Sequence, residues 1–400
     1  MLTENLLASA RDLSGSIVSL RRAIHAEPEL GLQTPKTMAK VRAALEGLPL
    51  EWREGPSTTG AVATLKGAKP GRRVLLRGDM DALPMPEHTG LDFASTIPGR
   101  MHACGHDTHT AMLAGAAKLL CGMQGELAGE VQFMFQPGEE GYHGARFMLE
   151  DGLIDPMPDA AFALHIMPNA PHGLLGGRAG PLMAAADQFS ITIKGKGGHA
   201  SLPHETLDPV PAAAALVSAL QTAVTRRFNA AEAVVLTVTQ LQAGTAHNVI
   251  ADSATLGGTI RSLSPENRAR LKELLHEVSH GIAAAHGLSA DVEVVEGFPV
   301  TICDARAVAL GEAVVSEICG PGKWRSLPDP IMGAEDFAYV LEKVPGAMFF
   351  LGVAQEGEDW SQCCGIHNSR MMVDETALPH GTAVLAGCAL RFLAQGFDAG

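Results

Sequence analysis

Long apolar runs are missing from this chain of 400 residues, although 46% of it is hydrophobic. No continuous stretch reaches the roughly 18 to 20 apolar residues that a bilayer-crossing helix needs, so a membrane protein is not expected. The opening MLTENLLASARDLSGSIVSLRRAIH carries charges through its apolar positions and lacks the basic-then-apolar layout of a secretory leader. Cysteine is scarce: 7 residues, at 104, 121, 303, 319, 363, 364 and 388, odd in number and without CxxC spacing. That pattern argues against a disulfide framework and for a reducing compartment, so the expected location is cytoplasmic. Basic charge is in deficit, with 30 Lys and Arg against 44 Asp and Glu and a formal net charge of -14. A nucleic-acid backbone and an anionic membrane surface are therefore excluded as partners. An anionic small substrate is not, because an arginine or a metal ion reverses the field inside a cleft. Internal repeats are absent, and only alanine-rich helical stretches approach low complexity.

The length favours two domains. Apolar residues recur at helical spacing from residue 3 to about 25. GAVATLKG, RRVLLRGDMDALP, VQFMFQPGEEG and AFALHIMP then read as strands, and THTAMLAGAAKLLCGM as a buried helix whose small residues allow close approach on both sides. Strands alternating with such helices predict an α/β sheet, in which reactive groups gather at the carboxyl ends of the strands. Those ends carry Asp79, Asp81, Glu139, Glu140 and His165. Between about 186 and 298 the order becomes β-α-β-β-α-β, which predicts an inserted ferredoxin-like α+β domain. Residues 1–185 and 299–400 are thus expected to form one domain and 186–298 the other.

MHACGHDTHTAM, residues 101 to 112, places Cys104, His106, Asp107 and His109 at spacings that could share one centre. Thiolate, imidazole and carboxylate together suit Zn, Mn, Co or Ni and disfavour Ca or Mg. Taken singly, His165 and His367 fit a hydrogen-bonded core histidine as well as a ligand, and PGEEG fits a solvated acidic turn. Taken together, Cys104, His106, Glu140, His165 and His367 could hold two divalent ions. Glu139 would then be free to move a proton, and Asp81 would orient a ligand imidazole by its far nitrogen. Asp79 in RGDMD reads equally as a structural carboxylate or a metal contact.

The series RGDMDALP, MHACGHDTH, FQPGEEG, GKGGHAS, GTAHNVI, GTIRS, GAEDF and HNS resembles the M20 metallopeptidase and amidohydrolase family, in order and through nearly the whole chain. The likeness is to the cysteine-containing branch of hippurate hydrolases, N-acyl-L-amino-acid amidohydrolases and auxin-conjugate hydrolases; other branches carry His-x-Asp where this chain has Asp79-Met80-Asp81. The resemblance implies a dinuclear-metal catalytic domain with an inserted lid and dimerisation domain, hence a homodimer or a higher homo-oligomer. It also implies Cys104, His106, Glu140, His165 and His367 as ligands, Glu139 as general base and His199 as oxyanion donor, with Asn248 and Arg261 on the substrate carboxylate. The expected reaction is hydrolysis of N-acyl-L-amino acids. A dipeptidase, a specialised conjugate hydrolase and a non-catalytic metal-binding protein are the alternatives.

Overall fold

A computed structural model describes residues 5–397 and divides into two compact units. The first takes the described residues of Met1–Leu182, Ile302–Asp329 and Asp336–Gly400; the second takes Met183–Thr301 and Pro330–Glu335. The return after residue 299 is thus not continuous. Pro330–Glu335 belongs with the insertion because Ala184 N–H donates to the carbonyls of Ile331 (3.1 Å) and Gly333 (2.9 Å), and Arg261 Nη1 to that of Met332 (2.6 Å).

The first unit is built on an eight-stranded sheet. Its strands lie in the order Leu50–Glu54, Ala61–Lys66, Ala128–Gln136, Lys69–Asp79, Ala160–Met167, Gly346–Gly352, Leu175–Gly177 and Trp324–Ser326. The four central strands, from Ala128–Gln136 to Gly346–Gly352, are mutually parallel, so their carboxyl ends share one edge. Their interiors are continuous apolar runs: Val74, Leu75, Leu76, Phe133, Phe135, Phe162, Met348 and Phe349 are all fully buried, as a sheet covered by helices requires.

Helix His106–Gly122 packs against Ser14–His25 and Leu378–Gln395. The approach is close because the contact residues are small: a Cβ on Gly115 would stand 2.9 Å from Thr382 Cγ2, and one on Gly381 would stand 2.2 Å from Met112 Sδ. The expected single N-terminal helix is instead two, Leu6–Asp12 and Ser14–His25, broken at Leu13. Among the described residues one helical segment, Glu375–Gln395, is long and apolar enough to cross a membrane, and 89% of its apolar window is buried inside the protein. It is the core helix of this unit.

In the second unit, an antiparallel four-stranded sheet has the order Val234–Ala243, Ser253–Ser262, Ala185–Lys194, Ser289–Val295. Helices Pro209–Arg227 and Pro265–Ala285 pack against it around Phe189, Ile191, Leu216, Leu256, Leu271 and Leu275. This is ferredoxin-like connectivity. Buried Asp187 is neutralised by Arg268, at 2.6 and 2.9 Å.

Gly105 joins the approach segment to helix His106–Gly122 with φ 85°, and a Cβ there would lie 2.5 Å from Ile166 Cγ1. Left-handed backbone and lack of space both demand glycine. Gly105→Ala is expected to lower stability by roughly 2 to 4 kcal/mol, from the left-handed penalty and overpacking together. Chemical denaturation checks this; a loss below about 0.5 kcal/mol, the size of an ordinary surface change, would contradict it.

Candidate metal centre

The shared strand edge gathers the donors. Asp79 ends one parallel strand and Asp81 follows it; Glu139 and Glu140 follow the neighbouring strand; His165 sits near the end of a third. Cys104 and His106 enter from the start of the helix, and His367 from a loop whose backbone N–H reaches the Ala103 carbonyl at 2.7 Å. His367 adopts φ 61°, an uncommon left-handed conformation for a non-glycine residue.

Cys104, His106 and His165 each offer a ligand atom within 4.8 Å of the others, and so do Cys104, Glu140 and His367. Cys104 Sγ lies 3.4 Å from His165 Nε2 and 3.3 Å from His367 Nε2, and His367 Nε2 lies 3.2 Å from Glu140 Oε1. Two groups of three donors therefore meet at one thiol. His165 donates through Nδ1 to the Ile166 carbonyl at 2.6 Å, which leaves the Nε2 lone pair facing Cys104. Burial and the neighbouring His109 hold His165 well below the usual histidine pKa, so it is neutral, the form that binds metals.

His106 tests whether a cation fits. Carboxylate oxygens surround it, with Asp81 Oδ1 at 3.4 Å, Asp79 Oδ2 at 3.5 Å and Glu139 Oε2 at 3.9 Å, and the Cys104 thiol stands beside it. Both ring nitrogens are buried without a hydrogen bond. A buried imidazole left unsatisfied among a thiol and carboxylates fits a ligand of a divalent cation. Burial pushes the Cys104 thiol up against the opposing pull of His106; a bound cation would hold it as the thiolate. His367 is raised to about 10 by its hydrogen bonds to Cys104 and Glu140, with burial opposing.

Asp81, 1% exposed, accepts the backbone N–H of Glu139 at 2.9 Å and of Glu140 at 3.0 Å. Glu139, 6% exposed, lies with His106 and Glu140 in a third donor group. Asp79 is tied elsewhere: Arg77 donates to Oδ2 at 2.7 Å and His109 Nδ1 to Oδ1 at 2.6 Å. Burial alone would raise Asp79, but Arg77, His106 and His109 outweigh it and hold the carboxyl well below its ordinary range.

Two residues grouped with the donors by spacing turn to other tasks. His109 shares the helix face of His106, three residues before it, yet both its nitrogens are engaged, since Nε2 accepts the Ile166 N–H at 2.9 Å. Asp107 is turned about 100° from His106 by the helix and meets Arg21 Nε and His25 Nδ1, each at 2.8 Å. Nor does composition reveal the support behind Asp79: Arg77 also reaches Gln136 Oε1 at 2.8 Å and Asp336 Oδ1 at 3.0 Å, and Asp336 Oδ2 accepts Ala145 N–H at 2.9 Å. The signal available was an arginine inside an apolar strand, which needs buried partners.

The remaining candidates lie in the second unit. His199 sits on a two-stranded ribbon, Gly198–His199 with Val249–Ile250, and Asn248 lies in the turn just before its second strand, where its carbonyl accepts the Ala200 N–H at 3.0 Å. Both side chains are exposed. Arg261 lies on strand Ser253–Ser262, half-buried.

Donors of this kind at the edge of an α/β sheet define a dinuclear metallohydrolase. Residues 75–391 match Peptidase family M20/M25/M40, and the chain belongs to that family. It is similar to Thermostable carboxypeptidase 1 of Saccharolobus solfataricus, at 37% identity over 98% of this chain and 99% of that protein. It is also similar to the N-acetylcysteine deacetylase of Bacillus subtilis, at 38% identity over 94% and 97%. The crystal structure of the Bacillus subtilis YXEP protein, a dinuclear metal-binding peptidase of the M20 family, matches with TM-score 0.82 and 35% identity, over 96% of this chain and 99% of that one. The protein is a metal-dependent amidohydrolase, acting on amide bonds of acylated amino acids or peptides, with donor clusters for two divalent cations per chain.

The Asp107 network carries a pH signature. Burial opposes the charge on His25, but Asp107 and Glu87 outweigh it and raise the pKa from 6.5 to about 9. Stability from charged His25 is fully present below pH 6.5 and is lost as pH rises through about 9. His25→Gln is expected to cost roughly 2 to 3 kcal/mol near pH 6, with the difference from the parent narrowing as pH rises through the folded-state pKa. Denaturation at several pH values measures it; a pH-independent difference would contradict it.

Proposed function

We propose that the protein hydrolyses N-acyl-L-amino acids, with acetyl, benzoyl or related acyl groups, to a carboxylate and a free amino acid. The observation that carries this reading is buried Glu139 standing 3.9 Å from His106, beside a Glu140 turned toward His367. In this reading Glu140 serves as a ligand while Glu139, buried beside His106, is placed to move a proton. In this reading Cys104, His106, Glu140, His165 and His367 hold two divalent cations. Bound there, the cations would supply Lewis acidity toward the amide carbonyl and an acidified water.

Glu139 takes the proton from the attacking water and delivers it to the departing nitrogen. Asp81 keeps Glu139 and Glu140 in register through their backbone N–H groups and stands 3.4 Å from His106 Nδ1, the side from which it would steady the ring once a cation is bound. His199 accepts the Ser201 N–H on Nδ1 at 3.1 Å, so its neutral form carries the proton on Nε2, ready to donate to a developing oxyanion. Arg261 and Asn248 grip the substrate carboxylate; Arg261 Nη1 is braced on the Met332 carbonyl at 2.6 Å, which limits the guanidinium's freedom. The protein acts as a homodimer in this reading, within a reducing cytoplasm.

Products from a panel of acetyl, benzoyl, long-acyl and indoleacetyl amino acids and of dipeptides, identified by mass, test the substrate class. Faster cleavage of acyl amino acids is expected; dipeptides cleaved faster would favour a peptidase. Glu139→Gln should keep most bound metal and lower kcat by roughly 100-fold or more, whereas Glu140→Gln should first weaken metal affinity. Near-parent turnover with full metal in Glu139→Gln would reject the general base. Arg261→Ala should erase most of the preference for a free α-carboxylate over its amide; undiminished discrimination would reject Arg261 as the anchor.

A further inference from the structure

Of the six cysteines that take no part in the proposed metal centre, two stand next to each other on the loop that delivers His367. Cys363 and Cys364 are the only adjacent cysteines in the sequence. Both are free thiols, partly exposed, and both line a cavity of about 710 Å³ together with Ala354, Glu358, Asp359 and Met372. A short helical turn, Trp360–Gln362, leads into them, anchored where Asp359 accepts the Ser361 N–H at 3.0 Å. Cys363 then runs extended, with φ -69° and ψ 145°.

The other thiols differ in kind. Cys303 and Cys388 are buried, Cys104 belongs to the donor cluster, and Cys121 and Cys319 are solitary. Burial pushes Cys121 and Cys319 up to about 11, so both are poor nucleophiles at neutral pH. Adjacent residues have Cα atoms about 3.8 Å apart across a trans peptide, but on extended backbone their side chains diverge, so closing both thiols on one atom requires the loop to turn at Cys363. Capture by the first turns capture by the second into an intramolecular event at high effective concentration. Thiolates with a nearby thioether form a soft donor set, suited to thiophilic centres rather than to the harder cations of the Cys/His/Glu cluster.

We propose that Cys363 and Cys364 form a vicinal-dithiol site for trivalent arsenicals, and that its occupation restrains the loop carrying His367 and slows turnover. With an organoarsenic oxide, two arsenic–sulfur bonds form and the arsenic–oxygen bond breaks. The two thiol protons leave with that oxygen as water. Arsenic stays trivalent, so no oxidant is needed. The effect on turnover rests on His367 as a ligand, three residues beyond Cys364; the binding does not.

The test treats the metal-loaded enzyme with phenylarsine oxide and reads intact mass and turnover. One phenylarsenic group per chain is expected, with loss of one water, resistant to excess 2-mercaptoethanol and removed by 2,3-dimercaptopropanol. C363S and C364S should each abolish the resistant adduct. Turnover of the adduct should fall roughly tenfold to hundredfold, the scale of a small misplacement of a catalytic group, and recover with the dithiol. Absence of the adduct, its removal by the monothiol, or its persistence in both variants would overturn the site. An adduct with unchanged turnover would overturn the link to His367 and leave the dithiol site standing.

Discussion

The carboxylate of Asp81 is the constraint on which the site depends. Asp79 and Gln136 are in register on neighbouring parallel strands, and the chain leaves the two strands toward the same edge. Two residues on from Asp79, Asp81 accepts both the Glu139 and the Glu140 N–H, tying one strand exit to the next. Charge-assisted bonds of this kind contribute about 1.5 to 3 kcal/mol each, and a buried N–H left without one costs a similar amount. The same carboxylate stands 3.4 Å from His106 Nδ1, so the glutamate pair and the first imidazole share one reference point.

Around that point the protein separates charge that is used from charge that is held. Arg77, 2% exposed, is surrounded by Asp79, Gln136 and Asp336, and Asp107 by Arg21 and His25. Removing one partner from such a network leaves an unpaired buried charge, which costs far more than the network contributes. The donor cluster shows the opposite condition: His106 is buried with neither nitrogen hydrogen-bonded. His102 is buried in the same state, but only His106 also stands in reach of the Cys104 thiol and the Glu139 and Glu140 carboxylates, and an unsatisfied imidazole among such donors suits a guest cation.

Much of the catalytic edge was legible because it depends on local pattern. Apolar runs mark the strands, parallel order puts their ends together, and polar residues at those ends are forced toward one cleft. The pairing of Asp107 and His109 with Cys104 and His106 was a misleading part of the same pattern, since spacing alone does not say which nitrogen or oxygen already has a partner. Those partners lie far along the chain: Arg21 is 86 residues from Asp107, and Asp336 is 259 from Arg77. The inserted β-α-β-β-α-β order was readable from alternation, whereas the attachment of Pro330–Glu335 to it was not, because it is made by backbone bonds that no side chain advertises.

In the proposed reading Cys104, His106, Glu140, His165 and His367 would hold two divalent cations, with the Cys104 thiol common to the His106–His165 and Glu140–His367 donor groups. Anomalous scattering from crystals loaded with Mn or Zn addresses it directly. Two peaks per chain, both within bonding distance of Cys104 Sγ, are predicted. A single peak at full activity, or two peaks of which one lies away from Cys104, would contradict it.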